Sequence, residues 1–147
     1  MSVKYWNIQT CNISDKASIG NDSVIHAHVS IHDDVVIGNR CQIEGGVFIP
    51  NGVTLEDDVF VGPGVIFTND PTLDVQREKW VPTKTLVKKG AKIGAGAMIR
   101  AGVVIGSQSI VGMGAVVLND IPAGEVWAGN PAKFIKKTDL AKYLEQF

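Results

Sequence analysis

Three short stretches of the chain carry the side chains that could do chemistry. His26, His28 and His32 place three imidazoles within seven residues, and imidazoles serve as bases, metal ligands or substrate contacts. Asn69-Asp70-Pro71 sets an amide beside a carboxylate, just ahead of a charged cluster, Asp74, Arg77, Glu78 and Lys79. An amide can position a substrate, and a carboxylate can orient it or relay a proton. Near the end come Gly96-Ala97, Gly114-Ala115 and Gly129-Asn130-Pro131-Ala132-Lys133, followed by Lys136 and Lys137. Small residues leave backbone amides open to a long ligand, and the lysines suit phosphates.

The positioning element is a repeat of six. Ile13, Ile19, Ile25, Ile31, Ile37, Ile43, Ile49, Leu55, Val61 and Phe67 follow one another without a miss. At an apolar fraction of 45%, ten such matches arise by chance roughly 3 times in 10,000 for a fixed phase. The fourth residue after each anchor is again small or apolar, as in Val29, Val35, Cys41 and Val47. A period of six fits neither a helix nor a two-faced strand, and short repeats mark stacked architectures. Three six-residue sides close a triangular coil of 18, so residues 18 apart lie one above the other at about 4.8 Å. The anchor points inward, the residue four further on fills the corner, and the rest face out. Gly20, Gly38, Gly62, Gly94, Gly106 and Gly112 each follow an anchor, where a sharp corner is expected to need unusual backbone angles.

Taken in order, residues 1–12 read as a first incomplete coil, with Tyr5 and Trp6 capping its open end. The ladder runs from 13 to 67 and fails from Thr68 to Leu86, where Pro71 and Pro82 mark an excursion loop. Such long loops inside regular folds are usually functional. The alternative is a tolerated insertion, with Asn69-Asp70-Pro71 doing only turn chemistry. The ladder resumes at Val87, Ile93, Ile99, Ile105, Val111 and Val117. After Pro131 a short helix is expected to open at Thr138, with Leu140, Tyr143, Leu144 and Phe147 on one face. The division is thus a β-helix domain over 1–137 and a terminal helix over 138–147.

Composition narrows the function. A net charge of -1 gives no electrostatic case for nucleic acid or an anionic membrane. No run approaches 18 apolar residues, and the first ten lack a signal-peptide layout, so a cytoplasmic protein is expected. Cys11 and Cys41 both fall at inward positions when the lattice is extended back to Asn7, on different faces, and read as small buried side chains. The three histidines fall on two successive faces and do not converge as a zinc site would require. No metal is expected.

The hexads, the stretch Leu55-Glu56-Asp57-Asp58-Val59-Phe60-Val61-Gly62-Pro63 with Phe67-Thr68-Asn69-Asp70, and the closing Gly129-Asn130-Pro131-Ala132-Lys133 resemble one family. They are similar to the hexapeptide-repeat acyltransferases, and within them to the nucleotide-3-amino-sugar N-acetyltransferases. The resemblance covers residues 13 to 135. It implies an all-β, left-handed parallel β-helix, here of about five coils, assembled as a homotrimer with the catalytic cleft between subunits. The left hand comes from the resemblance alone, since the general crossover rule predicts a right-handed turn. It implies acetyl-CoA as co-substrate, lying along Gly96, Ala97, Gly114 and Ala115, with Asn130, Pro131, Lys133 and Lys136 towards the adenine end. Arg100 and Lys137 are further phosphate candidates.

The implied activity is N-acetylation of an amino sugar on a nucleotide carrier, a step towards surface polysaccharides such as lipopolysaccharide. Relatives acting on hydroxyls carry an Asn-His pair at the loop start, and here the second residue is Asp70. An amine needs less base assistance than an alcohol. Asn69 and Asp70 are therefore the catalytic candidates, and no side chain is expected to be a dedicated strong base. His26, His32 and Arg77 are candidate substrate contacts, the histidines by way of a neighbouring subunit. Two alternatives stay open: a sugar or small-molecule O-acetyltransferase with a neighbour's histidine as base, and a scaffold that keeps the fold without the activity.

Overall fold

The computed structural model describes residues 2–76 and 78–139. Arg77 and the expected helix from residue 140 onward therefore lie outside the described residues. Thr138 and Asp139, where the spacing predicts that helix to open, are in neither helix nor strand.

Short strands, most of two residues, wind into three sheets of eight, six and five strands among the described residues, parallel throughout except for the last strand of the eight. The interior columns are those the period of 18 predicts. The first face stacks Ile13 on Ile31 and Ile31 on Ile49, then Phe67 on Ile99 and Ile99 on Val117. The second runs Ile19, Ile37, Leu55, Val87, Ile105. The third runs Tyr5, Ile25, Ile43, Val61, Ile93, Val111, Trp127. From Ile25 upward the anchors are at most 1% exposed, and the corner-filling Val29, Val35, Cys41, Val47, Val53, Val59 and Val65 are equally buried. Ser23 and Ser109 are polar exceptions at these corners: the Ser23 hydroxyl donates to Gly38 O at 2.9 Å and accepts from Cys41 N at 3.0 Å, and the Ser109 hydroxyl donates to Gly106 O at 2.6 Å.

The stack is taller than the about five coils read from the sequence. The third face carries seven parallel levels, from Lys4–Tyr5 to Glu125–Ala128. Both ends escape the six-residue count. At the bottom the 3-10 turn Ile8–Thr10 adds two residues, so the lattice begins at Tyr5 and not at Asn7. Cys11 is consequently only half-buried and Cys41 buried, both as free thiols. At the top Trp127 covers Val111, with its Nε1 donating to Glu125 at 2.8 Å. The chain then turns back: Lys133–Lys137 pairs antiparallel with Glu125–Ala128. The basic run is an exposed strand and not the run-up to a helix.

The corners correct a second expectation. Except after Ile13, Phe67 and Val117, left-handed backbone sits three residues after each anchor, at Asp22, His28, Asp34, Arg40, Gly46, Gly52, Asp58, Gly64, Gly90, Gly96, Gly102, Gln108 and Gly114. The glycines directly after the anchors have ordinary angles. What they permit is the close approach of the next coil: a Cβ on Gly62 would stand 2.6 Å from Ala95 N, and one on Gly94 2.5 Å from Met113 N.

The excursion adds 14 residues, because Leu55 pairs with Val87, 32 positions on instead of 18. It spans 68–84, two residues shorter than read, since the strand Thr85–Val87 already belongs to the coil. Its root is fastened from both sides. The Thr68 hydroxyl donates to Ile99 O and accepts from Ala101 N, each at 2.9 Å. Thr83 N donates to Asn69 O at 2.9 Å, and Thr85 N to Gly52 O at 3.0 Å.

Two outcomes follow from these contacts. In urea unfolding, Gly94→Ala costs about 2–3 kcal/mol because the coil above must shift. Gly96→Ala, left-handed but facing open space, costs about 1 kcal/mol. Thr68→Val leaves Ala101 N unpaired at the loop root, while Ile99 O keeps its bond from Thr68 N, a loss of about 1–3 kcal/mol. Its amides over 68–84 exchange faster than in wild type, while those of the lower coils do not change.

Candidate active site

The candidate residues gather along two vertical edges of the first face. One edge is the corner that leads from the third face into the first. Its left-handed positions are His28, Gly46, Gly64, Gly96 and Gly114, tied coil to coil by Gly46 N to Ala27 O (3.1 Å), Gly64 N to Gly45 O (2.9 Å), Gly96 N to Pro63 O (2.9 Å) and Gly114 N to Ala95 O (2.8 Å). At the other corners the same backbone is made by Asp22, Arg40, Asp58 and Gln108. Left-handedness alone thus does not demand glycine here, although it costs a side-chain-bearing residue about 1–2 kcal/mol. A Cβ at Gly64, Gly96 or Gly114 would meet nothing within 4 Å. The missing side chains leave an open trough up the corner, floored by backbone.

The trough residues are placed as follows. Gly96 and Gly114 line it, while Ala97 and Ala115 turn inward and are fully buried. They keep the wall thin and touch nothing outside. Gly129-Asn130-Pro131-Ala132 closes over the top: Val116 N donates to Gly129 O at 2.9 Å and Ala132 N to Val116 O at 2.8 Å. Asn130 and Pro131 are exposed there, and Lys133 begins the returning strand beside them. Lys136 does not join this group. Strand direction carries it back across the third face, about 10 Å away, to a pocket with Gly90, Lys92, Gln108 and Val126. Burial there pushes the Lys92 amine down.

The other edge is the corner between the first and second faces, from which the loop springs. Asn69 Nδ2 donates to Asn51 O at 3.0 Å. Since a carbonyl only accepts, that bond fixes the amide's orientation and turns the Asn69 carbonyl oxygen away as an acceptor. Asp70 Oδ1 accepts from Thr72 N (3.0 Å), the Thr72 hydroxyl (2.8 Å) and Leu73 N (3.1 Å), the turn chemistry the sequence left open. Asp70 and Pro71 border a cleft shared with Met98, Arg100 and Leu118. Arg100 therefore belongs to the loop's edge and not to the glycine trough, and its Nη1 reaches Leu118 O at 3.5 Å.

His32 lies on the loop's edge, two levels below, edge-on to Phe48 with centroids 5.0 Å apart. His26 lies at the foot of the trough: its Nε2 is 3.4 Å from Glu44 Oε2, and its ring stacks on Trp6. The structure thus separates the two histidines onto opposite edges. Among the described residues no three His, Cys, Asp or Glu side chains form a metal-holding group. No helix is long and apolar enough to cross a membrane, again among those residues.

Sequence reasoning missed Glu44, Asn51, Thr68 and Trp6. Two of them carried a usable signal: Glu44 is 18 residues after His26, and Asn69 is 18 after Asn51, which places each pair on adjacent coils.

Comparison with known proteins finds similar folds. A histidine-to-alanine variant of GDP-perosamine N-acetyltransferase from Caulobacter crescentus, solved with CoA and GDP-perosamine, matches with a TM-score of 0.78 at 26% identity. That match covers 93% of this chain and 59% of the other. The acetyltransferase domain of PglB from Neisseria gonorrhoeae, with acetyl coenzyme A, matches at 0.74 and 27% identity, over 86% of this chain and 55% of that one. A hexapeptide-repeat acetyltransferase from Vibrio cholerae, also with acetyl coenzyme A, gives 0.71 and 26%, covering 83% and 71%. The chain thus spans little more than half the length of the first two. A comparison with curated protein sequences gives no match. The model of the bacterial transferase hexapeptide (six repeats) matches residues 16–51, 34–69 and 84–119, well over half the chain. With its triangular coils, glycine corner and single excursion loop, the chain belongs to the hexapeptide-repeat bacterial transferases, left-handed parallel β-helices by fold.

Proposed function

We propose that the chain is an acetyl-CoA-dependent N-acetyltransferase acting on the amino group of a nucleotide-linked sugar. The observation that carries this reading is the open trough at Gly64, Gly96 and Gly114, closed above by Gly129-Asn130-Pro131. A pantetheine arm needs a long lane lined by amides and free of side chains, and this corner has both. The matched structures that hold CoA or acetyl-CoA, one of them with GDP-perosamine, support the same choice of donor and acceptor class. The adenine end would lie by Asn130, Pro131 and Lys133, and the thioester would point down the trough.

One chain alone brings only half of the reacting groups together. The trough and Asn69 flank the first face, separated by the width of a strand side, on the order of 13 Å. A second copy must bring its loop edge against this trough, which fits a homotrimer. Copies standing side by side have their coils level, so Asn69 of a partner would face Gly62 and Gly64, the residues of its own coil.

The chemistry asks little of the protein. The amine must arrive neutral, and Asn69 accepts one of its N–H bonds through the carbonyl oxygen, aiming the nitrogen lone pair at the thioester carbon. Attack forms the C–N bond and a tetrahedral oxyanion. Collapse breaks the C–S bond. The departing thiolate takes the ammonium proton, directly or through Asp70, giving amide and free thiol. No strong base is required.

His26, whose Nε2 stands 3.4 Å from Glu44 Oε2, is the observation that favours the second reading, O-acetylation, because an imidazole beside a carboxylate is the usual arrangement of a general base. Variants distinguish the two. Asn69→Ala lowers kcat by about 10²-fold through lost positioning, whereas His26→Ala and His32→Ala stay within about tenfold. Below the pKa of the substrate amine, kcat/KM falls as the amine protonates. The readout is acetyl-CoA-dependent thiol release over a panel of nucleotide amino sugars. A rate abolished by His26→Ala and spared by Asn69→Ala contradicts the assignment, and no thermal shift with acetyl-CoA leaves a scaffold.

A further inference from the structure

The outward corner position directly after each third-face anchor changes character along the stack. Upward it is Gly62, Gly94 and Gly112; downward it is Glu44, His26 and Trp6. The change occurs at the coil from which the excursion loop departs. If the donor fills the levels above that coil, the acceptor must occupy the levels below it, beside these three larger side chains.

The lower three form a supported stack. Trp6 N bonds Ile25 O at 2.9 Å, setting the residue one level beneath His26. The two rings lie 5.7 Å apart by centroid and 14° from parallel. Above His26 lies Glu44, its Oε2 3.4 Å from the imidazole Nε2 and its Oε1 accepting from Gln42 Nε2 at 2.6 Å. Trp6 is nevertheless 58% exposed and takes no part in the core. The solenoid has no use for it: Tyr5 fills the bottom of the interior column, and Trp6 points outward. Lys4 Nζ lies over that exposed ring, 5.2 Å from its centroid, a cation on a flexible stem above an aromatic surface. A nucleotide suits this pair: the base takes the lysine's place on the ring and the displaced amine turns to the phosphate.

We propose that Trp6 is the stacking platform for the nucleobase of the acceptor's carrier, with Lys4 placed to meet its diphosphate. It makes Trp6 the residue that distinguishes nucleotide-linked from free amino sugars. The inference rests on the acceptor class proposed above. Three levels separate Gly62 from Trp6, about 14 Å, a span that a hexose and a diphosphate placed end to end cover. The bare trough ends where stacking surface begins because the coenzyme needs backbone above, and the nucleotide needs a ring below.

The test uses UDP, GDP and dTDP as probes, titrated calorimetrically into the full chain. At least one binds the wild type. Trp6→Ala weakens that binding by about tenfold to a hundredfold, as loss of a base–aromatic stack does, and Trp6→Phe keeps it within a few-fold. The thermal shift with acetyl-CoA is the same in all three proteins. With the complete acceptor, Trp6→Ala raises KM and leaves kcat near wild type. Lys4→Ala weakens the diphosphates and flattens their salt dependence. Nucleotide binding unchanged in Trp6→Ala overturns the platform and leaves the enzymatic reading standing. A wild type that binds acetyl-CoA but none of the three diphosphates overturns both the platform and the acceptor class.

Discussion

Each coil is hydrogen-bonded to the coil above it and to the one below, and almost every positional statement about this molecule follows from that vertical bonding. Gly20 N donates to Ile37 O, Gly38 N to Leu55 O, Glu56 N to Val87 O and Lys88 N to Ile105 O. The ladder does not pause at the excursion: the 14 added residues leave the stack and return without shifting its register. Because no two-residue strand is stable alone, the register is enforced by the sum of many levels, with an isoleucine, valine or leucine inside each. Outward side chains inherit the same vertical order, so function is arranged in columns.

The corners show what this order costs and what it permits. Nearly every turn takes a left-handed residue, and the chain accepts Arg40, Asp58 and Gln108 in that role where nothing else is asked. Arg40 and Asp58, 18 apart, even use it to form a paired contact, Nε to Oδ1 at 2.7 Å and Nη2 to Oδ2 at 3.1 Å. That pair holds the Asp58 carboxyl below its usual range. Along one corner only, the side chains are removed four levels in succession and the space outside is left empty. Conformational need explains glycine at any single turn. It does not explain why the glycines line up above Glu44 and stop at His28.

Much of this was legible in the sequence because an anchor every six residues is a periodic signal, and columns 18 apart follow from it arithmetically. The glycine corner was legible for the same reason, since Gly96 and Gly114 differ by 18. What escaped was whatever depends on the neighbouring coil and not on the local pattern. Gly62 and Gly94 looked like residues needing odd backbone angles, when their constraint is an amide in the coil above. Tyr5 and Trp127 break the count of six, so the two end levels were invisible to periodicity. Lys136 was grouped with Lys133 by proximity in the chain, but an extended strand separates residues that a helix would have kept together. Asn69 and Asp70 were recognisable as loop-start residues, and the spacing of 18 puts Asn51 beside one of them; that the Asn69 amide donates to the Asn51 carbonyl, and so turns its own oxygen outward, is information held only in three dimensions.

The central claim is that the glycine corner of one chain and the loop edge of a second face each other across one level of the stack. Its most direct measurement is the crystal structure of the assembled protein with acetyl-CoA. The account predicts the pantetheine along Gly64, Gly96 and Gly114, with Asn69 of a neighbouring copy facing the thioester across the space that the acceptor amine would fill. Coenzyme bound elsewhere, or bound in this corner with no second copy's loop within reach of the thioester, would contradict it.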